Sequence, residues 1–257
     1  MPAFVAWLYM KRIDAVTFDL WDTLVQEVPG GSSMVARARM ERIADILETF
    51  GRLYTPEEIE SAYVETGGFL YRVWNESKDV SVRDQVIFML GRIEQRLPSR
   101  LGAEAIAEIE EAYSVSMLDH RPVLLPGAKE ALRDVQDRGM RMGLISNTGR
   151  TPGAVLRTIM EDLGILQCFS VTTFSNEILA RKPAPAIFGA SLEGLRAQAG
   201  SALHIGDDPR SDIDGAKDFG LKAIQIRSER FEDNERADAC VDSLDEVIVA
   251  IDSLREP

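Results

Sequence analysis

Five short apolar runs, often β-branched and separated by helical patterns, most constrain the fold of this chain. They comprise residues 13–20, 141–146, 168–173, 202–206 and 222–226. A short apolar run bounded by turn residues is typical of a strand that is buried on both faces. Strands that alternate with helices form parallel sheets. The sequence therefore predicts an α/β fold with a Rossmann-like, doubly wound parallel sheet.

The stretch between the first two strands has no strand pattern. From about residue 32 to residue 120, apolar residues recur at helical spacing, as at Ile43, Ile46 and Leu47. We therefore expect an inserted all-helical cap domain of about four helices. The predicted division is an N-terminal extension over 1–12, a core over 13–26 and 121–257, and a cap over 27–120.

Two helix starts in the insert can be read from capping residues. Residues 55–58, Thr-Pro-Glu-Glu, combine an N-cap, a proline in the first turn and a capping-box acid. Ser81 followed by Asp84 repeats this chemistry more weakly. After the insert we expect a helix over about 128–138, and near the end of the chain a strand over 239–241 and a helix over about 244–254.

Composition excludes several classes of partner. The chain of 257 residues has 29 Lys and Arg against 42 Asp and Glu, a net charge of −13, which opposes binding to nucleic acid or to an anionic membrane surface. The apolar start over residues 1–12 is too short to cross a bilayer and lacks the order of a signal peptide. Cys168 and Cys240 show no metal-ligand spacing and are interpreted as reduced thiols of a cytoplasmic protein.

The residues that follow the predicted strands, together with Lys182 before a helix, are the candidates for a functional site, because an open parallel sheet binds ligands outside the carboxyl ends of its strands. These residues are Asp19, Trp21, Asp22, Thr23, Ser146, Asn147, Lys182, Asp207, Asp208 and Asp212. A carboxylate such as that of Asp19 can be a nucleophile. A second carboxylate, from Asp207, adds a hard oxygen ligand suited to Mg²⁺. The hydroxyls of Thr23 and Ser146 are candidate donors to an anionic substrate.

Four segments in order resemble the motifs of the haloacid dehalogenase superfamily. They are residues 18–24 (Phe-Asp-Leu-Trp-Asp-Thr-Leu), 145–148 (Ile-Ser-Asn-Thr), 181–183 (Arg-Lys-Pro) and 205–212 (Ile-Gly-Asp-Asp-Pro-Arg-Ser-Asp). The helical insert lies where that superfamily carries its C1-type cap. The resemblance implies a hydrolase whose core motifs handle the transferred group while the cap sets specificity.

The resemblance also implies individual roles. Asp19 is the nucleophile, and Ser146 and Lys182 contact both the transferred group and Asp19. Mg²⁺ is held by Asp19, the backbone carbonyl of Trp21 and Asp207. The remaining positions are assigned as outer-shell or alternative metal ligands, Asp208 and Asp212, and as substrate or phosphate contacts, Thr23, Asn147, Trp21 and Asp22.

One position departs from the pattern of the superfamily's phosphatases. Most of them carry a second aspartate two residues after the nucleophile, which protonates the leaving alkoxide, and here that position is Trp21. Asp22, one place further on, is expected to point elsewhere if the backbone continues the strand, whereas an irregular loop could bring its carboxyl group back to the site. Loss of a positioned general acid lowers the reaction rate by a factor of about 10² to 10⁴, and the effect is smallest for substrates with good leaving groups.

Three functions are compatible with these residues. The preferred one is a Mg²⁺-dependent phosphatase acting on a small, anionic phosphorylated metabolite, as a monomer or homodimer. The second is a hydrolase of the 2-haloacid dehalogenase type, whose halide leaving group needs no proton, although the acid-rich segment Gly206-Asp-Asp favours metal and phosphate. The third is a catalytically weak binding protein. Phosphonate cleavage would need a cap lysine, and the insert contains only Lys78.

Several further residues have two interpretations each. His204 lies inside an apolar strand and is expected to be a hydrogen-bonded core residue, and His120 lies in a linker. The cap aromatics either line a pocket or pack against neighbouring helices; they are Phe69, Tyr71 and Trp74. The basic residues of the first cap helix either meet an anionic substrate or face solvent; they are Arg37, Arg39 and Arg42.

Overall fold

A computed structural model describes residues 13–255, and its centre is a parallel sheet of six strands in the order β5-β4-β1-β6-β7-β8. The strands of the described chain are β1 Ala15–Phe18, β2 Val25–Gln26, β3 Val123–Leu124, β4 Arg141–Ser146, β5 Val171–Phe174, β6 Ala202–Gly206, β7 Lys222–Ile226 and β8 Ala239–Val241. β1 lies between β4 and β6 and pairs in parallel with both. The predicted α/β fold is therefore confirmed. The predicted extension over 1–12 lies outside the described residues.

The segment between β2 and β3 is helical, as the sequence predicted. Its helices are α1 Gly31–Thr49, α2 Pro56–Asn75, α3 Val82–Ile93, the single turn α4 Leu97–Arg100 and α5 Ala103–Val115, followed by a 3-10 turn, Ser116–Asp119. Thr55 and Glu58 form the predicted capping box at the start of α2, and Ser81 caps α3. These helices bury an apolar core of their own, which includes Leu47, Met89 and Tyr113.

Helices cover both faces of the sheet. They are α6 Ala128–Asp137, α7 Gly153–Asp162, α8 Ser175–Ile178, α9 Pro185–Leu195, α10 Gly215–Phe219 and α11 Val247–Arg255. Apolar residues of α6, α7 and α11 share one buried cluster with Val16 and Phe18, whereas those of α9 and α10 share another with Ala15. Alternate residues of β1 thus serve opposite faces, as the pleat requires. The sheet is doubly wound.

The structure corrects two boundaries and adds one element. Leu166–Cys168 form a 3-10 turn, so the strand predicted from residue 168 begins only at Val171, where it pairs with Gly143 of β4. The predicted last helix starts with a 3-10 turn, Leu244–Glu246, before α11. The antiparallel pair of β2 and β3, which connects insert and core, was not predicted, because two residues per strand are too short to show a periodicity.

Two other observations bear on the sequence-based expectations. Cys168 and Cys240 are both free thiols. Within residues 13–255, no helix combines the length and the apolar character needed to cross a membrane.

Candidate active site

The candidate site lies at the carboxyl ends of the central strands. Asp19 follows β1, and its backbone amide donates to the carbonyl of Ile205 in β6 at 2.8 Å, which holds the ends of the two strands together. A cavity of about 260 Å³ opens at this edge, and we call it the catalytic cavity. Its lining includes Trp21, Asn147, Lys182 and all five predicted aspartates. The topology therefore brings most of the predicted site residues together.

Three buried carboxylates converge in this cavity. Oxygen atoms of Asp19, Asp207 and Asp212 lie within 4.8 Å of one another. Burial, with the charge of Asp212, raises the pKa of Asp19 to about 7 against the lowering effect of Lys182. Burial and the charges of Asp19 and Asp212 raise the pKa of Asp207 to about 8. A cluster with this excess of negative charge, made of hard oxygen donors, fits a divalent cation such as Mg²⁺.

Lys182 neutralises part of this charge. Its Nζ lies 2.5 Å from Oδ1 of Asp19 and 2.6 Å from Oδ1 of Asp212, and the residue is only 3% exposed. Burial lowers the pKa of the Lys182 ammonium group, but the two carboxylates raise it more, so that its pKa lies above the ordinary value. The lysine is therefore a fixed positive charge beside the predicted nucleophile.

The backbone of Lys182 is itself held by Asn147. The Asn147 side chain donates from Nδ2 to the carbonyl of Lys182 at 3.1 Å and accepts from its amide at 2.8 Å. Asn147 immediately follows β4, so this pair of bonds ties the lysine segment to the sheet. Asn147 also lines the cavity, as predicted for a substrate contact, but its amide is engaged with Lys182.

Asp212 is positioned by an equally dense set of contacts. Its Oδ1 lies 3.0 Å from Nε2 of His204, and its Oδ2 accepts from the amide of Asp208 at 3.0 Å. Burial opposes its ionisation, yet Lys182 and His204 hold the pKa of Asp212 below its usual range. A Cβ at Gly206 would overlap the Asp212 carboxyl group, so that the close approach requires glycine.

His204 is the buried, hydrogen-bonded core residue that the sequence suggested. It is fully buried within β6, and its Nδ1 lies 2.8 Å from Oγ1 of Thr17. Burial lowers the pKa of the imidazole, although Asp212 raises it. Because both ring nitrogens are occupied by protein atoms, His204 orients Asp212 and does not face the cavity.

Asp208 and Asp22 are engaged with protein groups. Oδ1 of Asp208 accepts from the amides of Arg210 and Ser211 at 2.9 and 2.8 Å, which caps the π-helical turn Pro209–Asp214. Asp22 has a positive φ of 54° and pairs with Arg230, whose Nη1 lies 2.6 Å from Asp22 Oδ2. Both residues line the catalytic cavity, but one carboxyl oxygen of each is engaged with these protein groups.

The two predicted hydroxyl residues lie behind the cavity wall. Ser146 and Thr23 are fully buried, and within residues 13–255 their hydroxyl oxygens have no hydrogen-bond partner. Neither is part of the lining of the catalytic cavity, and Thr23 borders a separate cavity near Arg227. The structure therefore does not bring these two hydroxyls to the cavity surface.

A larger cavity of about 520 Å³ adjoins the catalytic cavity and shares Trp21, Asn147 and Arg181 with it. We call it the outer cavity. It lies between the helical insert, which contributes Arg39 and Tyr63, and the loop 147–151 that follows β4. Among the cap residues considered from sequence, only Arg39 and Trp74 line it.

The other cap candidates are engaged elsewhere or face solvent. Phe69 stacks on Phe88 at 4.3 Å, and Tyr71 is 65% exposed. Arg42 pairs with Asp119 at 2.7 Å, and Arg37 is exposed. The exposed Lys78 pairs with Glu76 at 2.8 Å and lines neither cavity, which gives no support to phosphonate cleavage through a cap lysine.

Sequence reasoning missed three residues around the outer cavity. They are Asp79, Arg150 and Arg181. Asp79 is buried and accepts from Ser175 at 2.5 Å and from Arg181 at 3.3 Å, while Arg181 lies 4.4 Å above the Trp74 ring. Asp79 lies in a short loop of the insert, where no local pattern marks it. The Arg-Lys-Pro motif was the one available signal for Arg181.

A Rossmann-like parallel sheet with a carboxylate cluster at the carboxyl ends of its central strands is the architecture of a hydrolase with an α/β fold. The chain belongs to the haloacid dehalogenase-like hydrolase family, whose profile matches residues 13–220.

Named relatives agree with this membership. The chain is 27% identical to the ribulose-1,5-bisphosphate 5-phosphatase of Halopiger xanaduensis over 230 residues, 88% of this chain and 87% of that protein. It is 28% identical to the phosphoglycolate phosphatase of Yersinia pseudotuberculosis over 219 residues, 84% and 82% of the two chains. The 2-haloacid dehalogenase structure from Pseudomonas syringae shares the fold, with a TM-score of 0.68 at 20% identity over 94% of this chain and 99% of that one.

Proposed function

We propose that this hydrolase is a Mg²⁺-dependent phosphatase that acts on a small phosphorylated metabolite through an aspartyl-phosphate at Asp19. The observation that carries the proposal is the cluster of Asp19, Asp207 and Asp212 around Lys182 in the catalytic cavity. The named relatives that cover most of the chain are phosphatases, which supports phosphate as the reacting group.

The metal ligands in this proposal are Asp19, Asp207 and the backbone carbonyl of Trp21, with Asp212 and Asp208 as outer-shell or alternative ligands. When bound, Mg²⁺ offsets the repulsion between the carboxylates and an anionic substrate and stabilises charge in the transition state. The buried Asp207 forms no ion pair with a basic residue in the part of the chain that the structure describes, so its charge is available for a cation.

The chain's own residues perform the transfer. A carboxylate oxygen of Asp19 attacks phosphorus, and the bond from phosphorus to the leaving oxygen breaks. Lys182, whose Nζ lies 2.5 Å from Oδ1 of Asp19, fixes the direction of attack and balances charge. Water then attacks the phosphorus of the aspartyl-phosphate, the bond from phosphorus to the Asp19 oxygen breaks, and inorganic phosphate leaves with Asp19 restored as a carboxylate. The helical insert, residues 27–120, serves as the cap that excludes bulk water.

The leaving group receives little help from the chain. Trp21 has no titratable proton, and the Asp22 carboxylate is paired with Arg230. The proposed enzyme therefore favours esters whose leaving oxygen departs without protonation. The lack of a proton donor at position 21 is also compatible with a second candidate function, a hydrolase of the 2-haloacid dehalogenase type, because a halide ion needs no proton to leave. The three clustered carboxylates favour the phosphatase, since an attack on carbon has no use for a bound cation.

The deciding experiment is the initial rate of para-nitrophenyl phosphate hydrolysis by the purified protein with Mg²⁺ and with EDTA. We expect turnover that requires Mg²⁺ and disappears in Asp19→Asn, whereas Asp137→Asn, which changes an exposed carboxylate at the end of α6, keeps it. Release of chloride from 2-chloropropionate in EDTA, with no hydrolysis of the ester, would replace the phosphatase by the second candidate. Ligand binding with no turnover of either compound would favour a binding protein.

A further inference from the structure

We infer that the outer cavity is a second anion-binding subsite, formed by Arg39 and Arg150, and that the substrate carries a second anionic group besides the transferred phosphate. This inference rests on the proposed phosphatase activity and names its substrate class.

Arg39 is a buried cation with neutral partners. The residue is 3% exposed, and its Nε donates to the carbonyl of Tyr113 at 2.5 Å. Its terminal nitrogens donate to the Tyr63 hydroxyl at 3.0 Å and to Oγ1 of Thr151 at 3.2 Å. Within residues 13–255, no carboxylate forms an ion pair with it.

Arg150 approaches the same two tyrosines from the core. Its Nη2 donates to the carbonyl of Tyr63 at 2.9 Å, and its Nη1 donates to the Tyr113 hydroxyl at 3.2 Å. The guanidinium group lies 3.7 Å from the centroid of the Tyr63 ring, in the geometry of a cation–π contact. No ion pair with a carboxylate is found for Arg150 either, in the described part of the chain.

Two guanidinium groups without counter-ions are unexpected in a chain with 13 more acidic than basic residues. Burying the Arg39 cation without an anionic partner, beside the half-buried Arg150, is costly, and the cost is recovered when an anion binds there. The other charged residues of the outer cavity are committed or exposed, since Arg181 pairs with Asp79, and Glu27 is exposed and accepts from Ser32 at its rim. The vicinity of Arg39 and Arg150 is therefore the part of this cavity that attracts an anion.

The position of this pair fits a substrate that spans both cavities. The outer cavity joins the catalytic cavity at Trp21, Asn147 and Arg181, so one molecule can place a phosphate beside Asp19 and a distal group beside the arginines. Planar guanidinium groups bind carboxylate and phosphate through paired hydrogen bonds. A distal phosphate and a distal carboxylate share this chemistry, and the assay separates them.

A glycine in α2 leaves room for the Arg150 guanidinium group. Gly67 lies inside this helix, and a Cβ there would be 2.9 Å from Nη2 of Arg150. The neighbouring Gly68 has ordinary space, with Nη1 of Arg72 at 3.9 Å. Glycine inside a helix is unfavourable, so the gap at Gly67 is explained by the room that it leaves for the guanidinium group.

The test measures kcat/KM with Mg²⁺ for matched substrates that differ in a distal anion. The pairs are 3-phosphoglycerate with glycerol 3-phosphate for a carboxylate, and fructose 1,6-bisphosphate with fructose 6-phosphate for a phosphate. We expect the doubly anionic member of at least one pair to be preferred by about 10- to 100-fold, the range for hydrogen bonds to a charged group. Arg150→Met should reduce this ratio towards one.

Gly67→Ala and Gly68→Ala provide the matched comparison. Gly67→Ala should lower the same ratio, mainly through KM of the doubly anionic substrate, because the new methyl group displaces the Arg150 guanidinium. Gly68→Ala should keep the ratio of the original protein. A merely structural role for Arg150 would change both members of a pair equally and leave the ratio intact, which would overturn the inference.

The outcomes also separate this inference from the proposed function. If para-nitrophenyl phosphate and every metabolite are left unhydrolysed, the phosphatase proposal fails and the subsite fails with it. If para-nitrophenyl phosphate is hydrolysed in a Mg²⁺-dependent manner but the doubly anionic member of neither pair is preferred, in turnover or, where the alkyl esters are not hydrolysed, in binding to the Asp19→Asn protein, the subsite alone is refuted. Binding of 3-phosphoglycerate and glycerol 3-phosphate to the Asp19→Asn protein by calorimetry gives a readout without turnover, with tighter binding of the former expected if the distal carboxylate is recognised.

Discussion

Asn147 and Lys182 form a two-bond pair in which a side-chain amide satisfies the backbone of the residue whose ammonium group contacts the predicted nucleophile. We therefore expect the Asn147 amide to affect the reaction at Asp19 indirectly, because it holds Lys182 in position. Removing it leaves two backbone groups of Lys182 without these partners and frees the segment from the end of β4.

We expect Asn147→Ala to lower kcat for para-nitrophenyl phosphate by about 10- to 100-fold, because a small misplacement of a catalytic group has effects of this size. The free energy of unfolding should fall by about 1–3 kcal/mol for the unsatisfied groups. Both are measured on one preparation, by steady-state kinetics and by urea unfolding. Asn176→Ala, which removes one bond to the amide of Gly153, is the control and should keep kcat. Equal kinetics in the two variants would exclude this positioning role.

The carboxylate cluster makes a prediction about the metal-free protein. Asp207 is buried beside Asp19 and Asp212 and has no basic partner among residues 13–255, and these surroundings raise its pKa to about 8. A carboxyl group here therefore lowers the stability of the fold at neutral pH when no cation is bound, because the folded state must either hold the buried charge or take up a proton. Asp207→Asn should therefore raise Tm in EDTA while it abolishes the increase in Tm that Mg²⁺ gives. Differential scanning fluorimetry with a Mg²⁺ titration measures both effects.

Asp214→Asn provides the control for that measurement, because Asp214 is a partly exposed carboxylate in the same loop that pairs with Arg236. It should leave the response to Mg²⁺ as it is in the original protein. If Mg²⁺ stabilises Asp207→Asn as much as the original protein, Asp207 is not a ligand and the proposed metal site is wrong.

The sequence predicted the parallel sheet and the location of the site because both depend on local patterns. The apolar run 13–20 shows β1 directly, and the acids that follow β1 and β6 come together because those strands are neighbours. The beginning of β5 was misplaced by three residues, since its register is set by pairing with Gly143 of β4 and not by local hydrophobicity.

The contacts of the outer cavity could not be predicted from such patterns. Arg39 bonds to Thr151, and Asp79 bonds to Ser175, across the boundary between insert and core. Each partner is an ordinary polar residue in its own segment, and only the packing of the helices on the core brings the pairs within hydrogen-bond distance. Ser146 illustrates the converse, because its position at the end of a strand predicted a donor to the substrate, whereas burial of its hydroxyl depends on the packing around it.

Two glycines should respond oppositely to alanine. A Cβ at Gly153 would overlap the ring of Phe174, whereas a Cβ at Gly91 in α3 meets nothing within 4 Å. We expect Gly153→Ala to reduce the free energy of unfolding by about 1–3 kcal/mol through overpacking. Gly91→Ala should increase it by about 0.5–1 kcal/mol, because alanine is the better helix residue. Urea unfolding of both variants checks the pair, and destabilisation of Gly91→Ala would contradict the open space described there.

Trp21 determines which leaving groups the proposed phosphatase tolerates. The residue lines the catalytic cavity two places after Asp19, and the nearby Asp22 is paired with Arg230. A carboxyl group at position 21 would supply the missing proton donor, which matters for an alkoxide and hardly at all for nitrophenolate. Trp21→Asp should therefore raise kcat for glycerol 3-phosphate relative to kcat for para-nitrophenyl phosphate, by at least about tenfold.

Trp21→Asn separates the proton from the loss of the indole ring, because it has nearly the same size as aspartate and donates no acidic proton. We expect it to change both rates together and to leave their ratio near that of the original protein. The ratio of kcat for glycerol 3-phosphate to kcat for para-nitrophenyl phosphate is compared between the two variants. If Trp21→Asp and Trp21→Asn change this ratio equally, the size of the residue, and not general acid catalysis, controls the choice of leaving group at this position.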